Sequence, residues 1–203
     1  MLVITACLAT YPPAFAGDSP ARSPEMTEAQ LAQKLRFYQG IRVLDVHFEQ
    51  RKQLKDMDLT LKSEGELHIE RPSRFIWKIT RPSPVSVSVS GQELTIVTGS
   101  GSTARTQVLK LGDAPSDQAA RSLASMVAWL NMDAHVLSHE YRVFAVQAES
   151  YRFEPRLKSS AGLESLEMDL THDGQLKQLR IRELSGDRLE IHFDKPRIAK
   201  TVR

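Results

Sequence analysis

The stretch that most constrains this chain runs from Leu59 to Glu70. Leu59, Leu61, Ser63, Gly65, Leu67 and Ile69 alternate there with Thr60, Lys62, Glu64, Glu66, His68 and Glu70. Successive side chains of a strand point to opposite faces, so such a run makes one dry face and one wet face. A strand sandwiched between helices in a parallel sheet would be apolar throughout, so the alternation specifies antiparallel sheet.

The same period recurs along the chain. Leu44, Val46 and Phe48 alternate with Asp45, His47 and Glu49, and Phe75, Trp77 and Ile79 begin a strand after the break at Arg71-Pro72-Ser73. Val85, Val87 and Val89 alternate with serines up to the Gly91-Gln92 turn, 94–97 returns, and Gly99-Ser100-Gly101-Ser102 forms a tip before 106–111. Strands are expected again over 141–148, 151–155, 163–171, 176–184 and 189–193. His172-Asp173-Gly174 and Ser185-Gly186-Asp187 supply hairpin turns between them. Only two segments change to helical spacing. Thr27-Glu28-Ala29-Gln30 has the form of a capping box ahead of Leu31, Leu35 and Tyr38, with Gly40 as the stop, which predicts a helix over 27–39. Ala119, Leu123, Met126, Val127 and Leu130 form a stripe that predicts a second helix over 117–131.

A wide antiparallel sheet with one apolar face has to cover that face, and with this many strands it curls. The expected fold is therefore mainly β with α (α+β): a curled antiparallel sheet forming an open half-barrel, with the two amphipathic helices laid across it. Alternation alone leaves open whether the space beneath them is a filled core or a cavity.

Composition narrows the class of function. Hydrophobic residues make up 41% and charged residues 26% of the chain, which excludes a disordered polypeptide. Lys and Arg number 27 against 25 Asp and Glu with no dense basic run, so nothing marks a nucleic-acid binder. The single cysteine excludes a disulfide framework and a multi-cysteine metal site. Residues 1–16, uncharged and ending Ala14-Phe15-Ala16, are expected to be a signal peptide that directs export to the periplasm. Residues 17–203 would then form a single domain. Ile4-Thr5-Ala6-Cys7 also has the form of a lipobox, which would make Cys7 an acylated anchor.

Phe48-Glu49-Gln50 is followed by Gly65-Glu66-Leu67 and by Arg71-Pro72-Ser73-Arg74-Phe75-Ile76-Trp77. This order resembles the periplasmic lipoprotein carrier family of LolA-like proteins, whose N-terminal half reads F-x-Q and then G-x-L-x-x-x-R-P-x-x-F-x-W. The segment ending Gly91-Gln92-Glu93-Leu94 and the closing meander resemble later blocks of the same family. The resemblance implies a LolA/LolB-like half-barrel around a hydrophobic cavity that shields the acyl chains of a lipoprotein or related lipid. It also implies a non-enzymatic carrier, without cofactor and monomeric, that collects cargo from an inner-membrane ABC-type release complex and delivers it to an outer-membrane acceptor. An anchored acceptor, if Cys7 is lipidated, and a periplasmic sensor that binds a protein instead of lipid are the alternatives. The identity of the acyl cargo is not written in the sequence.

Residue roles follow from the same resemblance. Arg71 matches the arginine that holds a lid helix closed, against the plainer reading of a solvated strand end. Phe75 and Trp77 match an aromatic pair at the cavity and its rim, against plain core packing. Leu44, Val46, Phe48, Leu59, Leu61, Leu67 and Ile69 are expected as the wall of cavity or core, and Leu123, Met126, Val127 and Leu130 as the lid. Enzymatic readings find little support. His135 and His139 lie four apart, but Glu140 follows the pair instead of standing within it, and no third ligand is evident. No G-x-S-x-G motif occurs, Gly99-Ser100-Gly101-Ser102 lacks a following helix, and Glu64, Glu66 and Glu70 form a solvated row on one strand face.

Overall fold

The computed structural model describes residues 23–71, 74–91, 93–110, 129, 132–157, 162–194 and 196–200. The expected signal peptide, Cys7 and the lid residues Leu123, Met126, Val127 and Leu130 lie outside the described residues.

Thr27 opens helix α1 (Glu28–Lys34) with the expected capping box: its hydroxyl accepts from the Gln30 amide, and the Gln30 side chain accepts from the Thr27 amide. A 3-10 turn (Leu35–Tyr38) continues the helix, and Gly40 ends it in the left-handed region at φ 77°. The strands are β1 (Ile41–Leu54), β2 (Leu59–Glu70), β3 (Arg74–Arg81), β4 (Val85–Ser90), β5 (Glu93–Thr98) and β6 (Arg105–Lys110). Helix α2 (Ala134–Glu140) runs straight into β7 (Tyr141–Gln147), followed by β8 (Ser150–Pro155), β9 (Leu163–Leu170), β10 (Leu176–Glu183), β11 (Arg188–Phe193) and β12 (Arg197–Lys200).

All twelve strands belong to one antiparallel sheet in the order β6-β5-β4-β3-β2-β1-β11-β10-β9-β8-β7. The long β1 changes partner along one edge, pairing with β12 over Ile41–Asp45 and with β11 over Phe48–Gln53. The sheet curls without closing, as the sequence led us to expect. At the β7 end, Met26 N–H donates to the Val143 carbonyl at 2.7 Å and covers part of that edge.

The inner face is the dry one. Leu44, Val46, Phe48, Leu67, Ile69, Phe75, Trp77, Val87, Val89 and Leu94 are buried on the first half of the sheet, joined by Val143, Tyr151, Phe153, Leu166, Met168, Leu179, Ile191 and Phe193 on the second. Leu31, Leu35 and Tyr38 from the first helical segment and Leu137 from α2 cover them. The expectation for Leu59 and Leu61 is corrected here: they are 44% and 48% exposed. Both keep the inner-face phase of Leu67 and Ile69, but Leu61 stands opposite Lys52 and Leu59 opposite Leu54. Polar groups take over at that end of the inner face. Gln50 donates to the Ser63 hydroxyl at 2.8 Å, and the Lys52 ammonium pairs with Glu183 at 3.0 Å. The dry face therefore stops near Gly65.

Candidate functional site: the apolar inner face

Gly65 lies where β3 carries a bulge against β2, Thr80 standing between the partners of Glu64 and Gly65. An added Cβ there would overlap the Lys78 carbonyl oxygen and come within 2.8 Å of the Phe48 ring. The missing side chain lets Phe48 lie flat, and its ring stacks on Trp77 at 3.8 Å between centroids and 25° between planes. Phe193 meets Trp77 edge-on at 6.4 Å. These rings, drawn from β1, β3 and β11, form the floor of the inner face at the sheet's centre. A second aromatic group lies toward β7. Trp129 packs against Tyr141 and, edge-on, against Phe153 at 4.6 and 4.5 Å, and its indole N–H donates to the Tyr141 hydroxyl at 3.2 Å.

Beside Phe193 lies a cavity of about 20 Å³, lined by Tyr38, Leu44, Val46, Leu67, Ile69 and Met132 among others. That volume is room for about one water molecule. Tyr38 forms its roof. The Tyr38 hydroxyl accepts from the Leu176 amide at 2.6 Å, and burial pushes the phenol up to about 12. Much larger clefts, of about 660 and 310 Å³, lie on the outer face among Glu49, Arg51, Lys62, Glu64, Arg180 and Arg182. Charged side chains dominate their lining, with Ile181, Leu189 and Pro82 among them.

Arg71 sits at the end of β2, its amide donating to the Arg42 carbonyl at 2.9 Å. Burial lowers its guanidinium below the ordinary arginine value, while Asp133 and Tyr38 act in the opposite direction. Asp133 is the N-cap of α2 and accepts from the amides of His135 and Val136 at 2.9 and 3.3 Å. Arg71 therefore lies within electrostatic reach of the N-cap of α2 and of Tyr38. Met132, just before the cap, has φ 50°, a left-handed backbone uncommon for a residue with a side chain. The two covering helices also touch one another, through His135 Nδ1 and Glu28 Oε2 at 3.2 Å.

The structure brings Arg71, Leu44, Val46, Phe48, Leu67, Ile69, Phe75 and Trp77 to one face or its rim, with Leu59 and Leu61 exposed at the polar end of that face. Tyr38, Trp129, Met132, Leu176 and Phe193 also belong to this region, although the sequence did not mark them as site residues. Trp129 falls off the helical stripe chosen from Ala119 to Leu130, and its signal was an aromatic residue three positions before Met132-Asp133. His135 and His139 lie on α2 with rings 6.5 Å apart, and among the described residues no group of three His, Cys, Asp or Glu is placed to hold a metal ion.

The family model for the outer membrane lipoprotein carrier protein LolA matches residues 39–203. No curated protein matches the sequence. Among solved structures, the chain is similar to a LolA superfamily protein from Nitrosomonas europaea, at 9% identity over 87% of this chain and 96% of that chain, with a TM-score of 0.42. It is similar to the Mycobacterium tuberculosis lipoprotein LppX at 11% identity over 87% and 96%, with a TM-score of 0.38. The MucA/MucB complex of Pseudomonas aeruginosa matches at 13% identity over 86% of this chain and 58% of that chain, with a TM-score of 0.45.

Proposed function

Since the chain belongs to the LolA family of outer membrane lipoprotein carriers, we propose that it shields the acyl chains of a lipoprotein or related lipid against this inner face. In this reading the chain is exported by cleavage after Ala16. It collects cargo from an inner-membrane ABC-type complex and passes it across the periplasm to an outer-membrane acceptor. The observation that carries the reading is a continuous apolar inner face under a cover of short helices, with Arg71 set against the start of one of them.

The energetics suit the task. An acyl chain of about sixteen carbons would cost roughly 12 kcal/mol to leave in water, at about 0.8 kcal/mol per CH₂. The cavity lined by the described residues admits about one water molecule, so in this reading cargo displaces part of the cover. Tyr38 and Met132 line that cavity, and Asp133, the N-cap of α2, follows Met132 directly. Closure and occupancy are then competing states of one surface, and a ligand shifts the balance by its differential affinity for the open one.

The test is native mass spectrometry of the purified protein, with displacement of a bound hydrophobic dye by a fatty-acylated peptide. Acyl adducts and dye displacement are expected. Arg71→Leu is expected to weaken closure, so that the variant retains cargo in a transfer assay. A protein that carries no acyl adduct and exchanges no dye would sink the reading and favour a protein-binding module, and unchanged transfer by Arg71→Leu would remove the latch.

A further inference from the structure

Several connections leave the sheet at one end. The β1–β2 connection runs through Lys55, Asp56, Met57 and Asp58, and the β10–β11 turn runs over 184–187. They lie side by side because β1 pairs with β11: Gln53 stands opposite Arg188, and the Lys55 amide donates to the Asp187 carboxylate at 3.0 Å. The β8–β9 connection reaches the same end, where the Leu184 amide donates to the Gly162 carbonyl at 2.6 Å. Large apolar side chains stand in solvent on these tips. Met57 is 73% and Leu184 61% exposed, and Leu157, Leu59 and Leu61 share the end with them. Of the exposed large apolar residues described, only Val108 and Val146 lie elsewhere. Scattered exposed leucines need no explanation, but a group of them on adjoining tips does.

The charges beside the tips are ordered too. One cross-strand row of the outer face reads Arg51, Glu190, Arg180, Glu167, Arg152, alternating in sign over five strands. The next row toward the tips reads Gln53, Arg188, Arg182, Ser165. Two guanidiniums face each other there with no carboxylate in their row, an arrangement that disfavours pairing. Arg152 and Arg180 are bonded to Glu167 and Asp169, whereas among the described residues Arg182 and Arg188 have no carboxylate partner. Together with Arg51 they line the outer groove of about 310 Å³.

We propose that this end of the sheet docks on an anionic phospholipid bilayer, Met57 and Leu184 entering the headgroup layer while Arg182 and Arg188 engage lipid phosphates. A free anion would account for the opposed arginines but not for the apolar tips. A bilayer interface accounts for both, because it accepts apolar groups at its boundary and attracts basic side chains beside them. Asp56 and Asp58 on the first tip limit the depth, since their carboxylates stay in water. Docking is separate from the shielding of acyl cargo and stands without it.

The experiment is sedimentation of the purified full-length chain with vesicles of phosphatidylcholine alone or mixed with phosphatidylglycerol. Lipid carried into the supernatant is measured separately, so that extraction into the inner face is not read as docking. Binding to the anionic vesicles only is expected, lost at high salt. The double variant Arg182→Gln/Arg188→Gln is expected to bind roughly thirtyfold more weakly, the effect of two basic residues at an anionic surface. Met57→Ser/Leu184→Ser is expected to weaken binding while keeping its salt dependence. Thermal melts confirm that each variant is folded. Equal binding to both vesicle types, binding to neither, or an arginine variant that binds like the parent overturns the proposal. So does saturable binding of inorganic phosphate without vesicle association.

Discussion

Gly65 shows how one missing side chain organises the inner face. It leaves room for the Phe48 ring, which stacks on Trp77, and it allows the bulge that brings β3 close. Gly65→Ala would force either the ring or the Lys78 carbonyl to move, and the expected loss of stability is about 2 kcal/mol, the usual scale of overpacking. Urea unfolding followed by tryptophan fluorescence checks this, because Trp77 reports the same contact. The glycine, the phenylalanine and the tryptophan were all legible as spaced letters in the sequence. Their mutual contact was not, because strands far apart in sequence supply them and register is a property of the folded sheet. Leu59 and Leu61 show the opposite case. Their alternation is as clean as that of Leu67 and Ile69, yet burial depends on what stands opposite, and there it is Lys52 and Leu54.

At the scale of elements, the cover is built from short pieces. Helix α1 has 7 residues, too few to persist in water alone, so its cap and the burial of Leu31 hold it in place. Thr27→Ala is expected to cost about 1 kcal/mol. Hydrogen exchange should show the loss confined to the amides of α1 and the following turn, while those of β2 keep their protection. The capping box and the strands were readable because both are local patterns. Helix α2 was not read as a helix: its seven residues are N-capped by Asp133 and carry one buried apolar residue, Leu137, so no amphipathic stripe announces it. Strand β12 escaped for a similar reason, being four residues long and ordered by its pairing with β1.

The whole molecule is stabilised on two faces by different physics: apolar burial within and a charge ladder without. Glu167 is the ladder's centre, accepting from Arg152 at 2.7 Å and Arg180 at 3.3 Å, while Arg180 also pairs with Asp169 at 2.7 Å. Burial alone would raise the Glu167 carboxyl, but the two guanidiniums outweigh it and hold it below the usual carboxylate range. A depressed carboxyl contributes its stability above the unfolded-state value of about 4.3 and loses it as pH falls through the folded value. Parent and Glu167→Gln should therefore differ in urea midpoint at neutral pH and converge in acid, and a pH series of unfolding curves checks this. The strand alternation and the curl that follows from it could be read from the sequence. The ladder could not, since it exists only across strands. The open strand order carries a mechanical consequence. β6 and β7 end the strand order without bonding to one another. The bowl can therefore flex at its mouth by bending alone, with every rung between its staves intact.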